Sequence, residues 1–202
     1  MSTRRTPAGA AVMQPQVTAA IRAAAFTELA EVGYGKLSME AVARRAGVSK
    51  PTLYRRWPSK QQLVLALIAE VAVTAAETPD TGTLRGDLRA FLEVTAAGLA
   101  HPLAARIIPD LLAEAVRTPA LAEALGTGLG EQRRERVAEL LRRGIERGEL
   151  PGDLNIELAL DFTVAPLFWR QTLRGGTTDP GYLDELTEMV LHALRASPKG
   201  RA

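Results

Sequence analysis

Cysteine is absent from the 202 residues. That excludes disulfides, thiol redox sensing and zinc or iron–sulfur sites with cysteine ligands. Histidine is nearly absent. His101 and His192 stand too far apart to make a local metal or general-base motif, and each reads as a surface or helix-end residue. Aromatic residues make up only 4% of the chain, and no alternation of Val, Thr and Tyr between turns marks a strand. No stretch reaches the roughly 18 uninterrupted apolar residues of a membrane span. Met1 to Gln16 has arginines but lacks the apolar core of a signal peptide. A nucleophile with its base, paired carboxylates and ligand clusters are missing too. The expectation from these absences is a cytoplasmic protein with no cofactor, no metal and no membrane partner, and not an enzyme.

What the chain does have is helical periodicity and an uneven charge. Apolar residues recur at three- and four-residue spacing throughout, so the fold is expected to be all-α. The net charge of +2 conceals an asymmetry. Residues 1 to 60 hold ten Lys and Arg against three Asp and Glu, a net +7, whereas residues 61 to 202 hold fifteen against twenty, a net −5. Only the first part has the balance of a polyanion binder.

Ser38 to Lys60 concentrates the local signals. Ser38 is placed to cap a short helix with Met39, Val42, Ala43 and Ala46 on one face. Gly47 ends it, because a sharp turn needs positive φ. Ser49 caps a second short helix with Pro51 in its first turn, where a missing N–H costs nothing. On a helical wheel Leu53 and Trp57 share one side, Pro51 and Arg55 fall opposite, and Lys50, Thr52, Tyr54 and Arg56 flank them. Ala43 is small where the two helices cross. This is a helix-turn-helix pattern. Ser59 and Gln62 form a capping box for the next helix, with Lys60 in its first turn, where the ammonium can reach a phosphate.

At these residues the chain resembles the TetR family of bacterial transcriptional repressors. The matching residues are Ile21, Ala24, Ala25, Leu29, Gly33 and Tyr34 of a preceding helix, Val42-Ala43, Ala46-Gly47-Val48-Ser49, and Thr52-Leu53-Tyr54 with Lys60. The resemblance covers about residues 17 to 65; beyond it only a layout of helices is similar. It implies that Ser49, Thr52, Tyr54 and Lys60 hold the DNA backbone and that Lys50, Pro51 and Tyr54 lie nearest the base edges. With Ser38, Arg44, Arg45, Arg55 and Arg56 these make the expected DNA-binding set. Some members carry an arginine in the second helix that reads guanine. Here Glu40 stands instead, open to two readings: an acceptor for a cytosine N4, or a charge that stabilises the helix N-terminus.

The remaining chain divides into a mobile arm over 1–16, the DNA-binding domain over 17–61 and a helical body over 62–202. Breaks fall at Thr78-Pro79-Asp80-Thr81-Gly82, His101-Pro102, Pro151-Gly152 and Gly175-Gly176. Pro109 should kink a helix or start a new one. Gly126, Gly128 and Gly130 lack the strand and the Lys-Ser/Thr pair of a phosphate loop, so Pro119 to Gly130 reads as a frayed helix or loop. Arg133-Arg134-Glu135-Arg136 is offset by Glu131, Glu135 and Glu139 and is not a second nucleic-acid patch. The body offers Phe91, Thr95, Ile108, Leu112, Phe162, Phe168 and Trp169 as candidates to line an effector cavity, each equally suited to a core. Two C-terminal helices carry Leu158, Phe162, Ala165 and Trp169, then Leu183, Leu186, Val190 and Leu194, the faces a symmetric four-helix dimer interface needs. The family resemblance implies a homodimeric repressor that binds a double-stranded operator and is released by a small-molecule effector. A body that binds a protein partner, and an activator in place of a repressor, stay open.

Overall fold

The computed structural model describes residues 15–73 and 78–196, and every regular element among them is helical, with no strand. Two compact units divide between Val64 and Leu65, inside one helix.

In the first unit α1 runs Pro15–Lys36, α2 Met39–Arg45, α3 Lys50–Arg56, and α4 Lys60–Val73 begins. Of the expected arm, residues 1–14 lie outside the described residues, while Pro15 and Gln16 belong to the first turn of α1, where proline is well suited. Gly33 breaks the helical geometry of α1 at φ 76° and ψ 168°, which turns Tyr34 back into the core. Ile21, Val42, Leu53 and Leu63 are fully buried, and Trp57 closes the end of α3. α1 packs on α2, and α2 on α3. The α2–α3 turn is held by Val48 N–H donating to Ala43 O at 3.0 Å and Gly47 N–H to Arg44 O at 3.2 Å, with Gly47 at φ 67°.

The second unit is built around α5, Leu84–Ala100, which packs on α6, Pro102–Ala115, and on three later helices, α8 (Glu131–Glu146), α9 (Ile156–Phe168) and α10 (Pro180–Arg195). α6 starts at a cap supplied by His101, whose Nδ1 accepts from Leu103 N–H at 3.3 Å, and it continues through Pro109. α7, Pro119–Ala124, passes through a π-helical turn, Leu125–Gly130, into α8, Glu131–Glu146. This corrects the expected frayed helix or loop: glycines without β-carbons tolerate the wider turn, and the flanking helices carry the chain through it. α9, Ile156–Phe168, is capped by Asn155 and widens into a π-helical turn, Trp169–Leu173. α10, Pro180–Arg195, is capped by Asp179. Leu84, Leu88, Leu92, Leu140, Leu141, Leu167 and Val190 fill the core at 0% exposure. α5 and α8 approach closely because residue 144 is glycine; a β-carbon there would lie 3.0 Å from Leu84 Cδ1.

Segment 78–83 is clamped to the body. Asp87, fully buried in the first turn of α5, accepts from Thr81 N–H at 2.5 Å, Thr81 Oγ1 at 2.8 Å and Arg147 Nη2 at 2.8 Å. Glu139 and Arg143 of α8, with Arg147 just past its end, meet the same segment: Glu139 accepts from Thr78 Oγ1 at 2.9 Å, and Arg143 donates to Pro79 O and pairs with Asp80. Glu149 accepts from Leu84 N–H through both carboxylate oxygens, at 2.9 and 3.1 Å.

Candidate nucleic-acid interface

The outer face of the helix-turn-helix is formed by the N-terminal turns of α2 and α3. Both helices start on a serine cap: Ser38 Oγ accepts from Ala41 N–H and Ser49 Oγ from Thr52 N–H, each at 3.4 Å. Ser49 and Thr52 hydroxyls are 2.8 Å apart, so two groups expected at the DNA backbone already share one hydrogen bond. Leu53 and Trp57 anchor α3 from below. The wheel therefore orients as expected: Lys50, Pro51, Tyr54, Arg55 and Arg56 are exposed, and Thr52 is half-buried. Arg44 and Arg55 make no ion pair among the described residues, which leaves both guanidiniums available to phosphate. Arg56 lies over the Trp57 ring at 5.2 Å.

Members of the expected set also have partners that sequence did not reveal. Arg45 donates to Glu31 and, at 3.3 Å, to Glu28, tying α2 to α1. Lys60 Nζ donates to Tyr34 O at 2.9 Å and Gly35 O at 3.1 Å, and stands 4.6 Å from the centroid of the Tyr34 ring. Its charge caps the carbonyl end of α1, leaving one of three ammonium protons for an outside acceptor. Ser38 Oγ donates to Glu40 Oε2 at 3.1 Å.

Glu40 is the centre of the face. Its Oε1 accepts from the Tyr54 hydroxyl at 3.3 Å and lies 3.6 Å from Lys50 Nζ. Its own backbone amide, then the Ser38 hydroxyl, and further Lys50 and Tyr54, outweigh desolvation and hold its carboxyl below the usual glutamate range. Partial burial, then the neighbouring Glu40 charge, pushes the Tyr54 phenol up. Both groups are fixed as a carboxylate and a phenol donor near neutral pH.

In the body, the expected effector-lining residues differ in burial. Phe91 is buried in the core, Ile108 and Phe168 pack against that core, and Thr95 is half-buried. Leu112, Phe162 and Trp169 are 41%, 45% and 58% exposed, because the outward phase of α6 and α9 carries them away from the interior. The expected dimer face divides in the same way. Leu183, Leu186, Val190 and Leu194 are buried within the protomer against α5, so the α10 half of that expectation is corrected: α5 already covers this stripe. Leu158, Phe162, Ala165 and Trp169 instead form an exposed apolar stripe on α9 that continues to Leu173, with Met189 exposed on α10. Arg133 shares the α8 face of Val137, Leu140 and Leu141, and makes no ion pair among the described residues. Burial first, and Arg136 second, lowers the pKa of its guanidinium. No single helix among the described residues is long and apolar enough to cross a membrane.

Comparison with known proteins agrees with this geometry. Residues 21–67 match the family described as bacterial regulatory proteins, tetR family, and residues 78–190 match the tetracyclin repressor-like C-terminal domain. The chain is 35% identical over 178 residues to the DNA-binding transcriptional repressor TetR of Mycobacteroides abscessus, covering 88% of this chain and 93% of that one. It is 30% identical over 181 residues to the uncharacterized HTH-type transcriptional regulator YdeS of Bacillus subtilis, covering 88% and 89%. The crystal structure of the TetR family transcription regulator SCO0332 superposes with a TM-score of 0.67 at 30% identity, covering 88% of this chain and 97% of that one.

Proposed function

The chain belongs to the TetR family of bacterial DNA-binding transcriptional regulators, a family without enzymatic activity, and from that premise we propose that it is a homodimeric repressor released from its operator by a small molecule. The observation that carries this reading is the presence of two exposed surfaces of opposite chemistry, one in each unit. The outer face of α2 and α3 is cationic and polar, with Arg44 and Arg55 unpaired among the described residues. The outer face of α9 is apolar, with Leu158, Phe162 and Trp169 exposed in one chain. The first suits a major groove. The second suits a copy of itself across a two-fold axis, where equal surfaces meet. One helix-turn-helix reads few bases, and pairing doubles the contacts at half-sites about 34–36 Å apart or a multiple of this.

The effector is a largely apolar molecule, since the body interior is dominated by leucine. Arg133 lies half-buried beside Val137, Leu140 and Leu141 on α8, and its guanidinium, without an ion pair among the described residues, supports one acidic group on that molecule. Binding in the body would shift the population of dimers away from the spacing that two successive groove faces require. The molecule acts in the cytoplasm, where its operator is.

The test is selection from a random duplex pool at about physiological salt, followed by titration of the enriched site against a small-molecule library. An inverted repeat bound by two chains, and a compound that releases it, are the expected results. A folded protein that enriches no sequence would overturn the operator reading. A monomer in solution whose α9 stripe is covered by a different protein would favour the body as a partner-binding module.

A further inference from the structure

Glu40 is the sole acid between Leu37 and Lys60, among six basic residues. A carboxylate on a surface that approaches phosphates is repelled by them, so donors must offset it. Its two oxygens have different donors. Oε2 faces Ser38, within the cap of α2, whereas Oε1 faces Tyr54 and Lys50 on the outer side of α3. Tyr54 and Lys50 are exposed donors that the acceptor-rich phosphates and base edges of a duplex would also claim. When they turn to the duplex, Oε2 keeps its partner and Oε1 loses both of its own.

Few groups on DNA can replace them. Phosphates, sugar oxygens, purine N7, guanine O6 and thymine O4 are all acceptors; the major groove offers donors only at cytosine N4 and adenine N6. Adenine sets its N7 lone pair beside N6, which opposes a carboxylate, while cytosine sets a C–H edge beside N4. We propose that Glu40 is a specificity-determining residue whose Oε1 accepts a hydrogen bond from N4 of one cytosine in each half-site. This inference rests on the reading of the chain as an operator-binding dimer.

The experiment compares full-length wild type, Glu40→Ala and Glu40→Gln in duplex selection at matched salt, with thermal melts to verify folding. Wild type should enrich an inverted repeat with one cytosine, symmetrically repeated, that depends on this side chain. Glu40→Ala should lose the preference at that position alone, with discrimination falling about tenfold or more. Glu40→Gln should move the preference toward adenine, because a carboxamide both donates to N7 and accepts from N6. An identical base preference in all three proteins would overturn the proposal. So would a folded Glu40→Ala that binds nothing beside a Glu40→Gln that selects the wild-type site, since Glu40 would then act only by holding Tyr54 and Lys50. A wild type that enriches no repeat would overturn the operator reading itself, and this inference with it.

Discussion

Two carboxylates, one in each unit, collect hydroxyl and cationic donors in similar ways and do different work. Asp87 gathers Thr81 and Arg147 at 2.5 to 2.8 Å with no exposure of its own side chain. Glu40 gathers Ser38, Tyr54 and Lys50 at 3.1 to 3.6 Å with 45% of its side chain exposed. In the first network water does not reach the carboxylate, so its donors are needed to offset the cost of burying a charge. In the second, water or an incoming ligand can replace any donor at little cost. A buried hub fixes a segment of chain; an exposed hub leaves its donors available for exchange.

The largest consequence of this contrast is in stability. Asp87→Ala should cost about 3 kcal/mol, the low end for breaking a buried pair because Arg147 keeps partial access to water, measured by urea unfolding. Gly86→Ala tests the same clamp from the backbone side. Its β-carbon would run into Thr81 Oγ1 and lift segment 78–83 away from Asp87, at about 1–3 kcal/mol. A smaller effect concerns pH. Burial alone would raise the Asp87 pKa, but the Thr81 amide and hydroxyl with Arg147 outweigh it and leave it depressed. Its contribution is therefore complete above the ordinary aspartate range and is lost as pH falls below about 4. Acid unfolding of Asp87→Asn should accordingly show a shallower pH dependence than wild type. Glu40→Ala should leave the thermal midpoint unchanged, and a drop comparable with that of Asp87→Ala would erase the distinction between the two hubs. Smallest is Lys60→Ala. If its remaining proton reaches a phosphate, the slope of log affinity against log salt should fall in magnitude by about one; an unchanged slope would confine Lys60 to its cap on α1.

The reading unit was legible in advance because its signals are local. Ser38, Gly47, Ser49 and Pro51 each act within four residues of their own position, and the structure places each in the expected cap or turn. The body was legible as helices but not as surfaces. Its period marked both Leu158 and Leu183 as apolar face residues, yet one is 58% exposed and the other 5%. The difference lies in α5, which packs on α10 and covers one stripe. Nothing in the local sequence of α9 or α10 records this.

Sequence alone thus determined the helices, their caps, the glycine turns and the side of α3 that faces outward, since these follow from backbone geometry and short-range hydrogen bonding. Tertiary structure decided which apolar stripes the protomer covers for itself. It also placed Asp87 under Arg147 across 60 residues and set Glu40 against Tyr54 across 14. Such pairings depend on where helices far apart in the chain come to lie together, and residue type and spacing do not encode that separately.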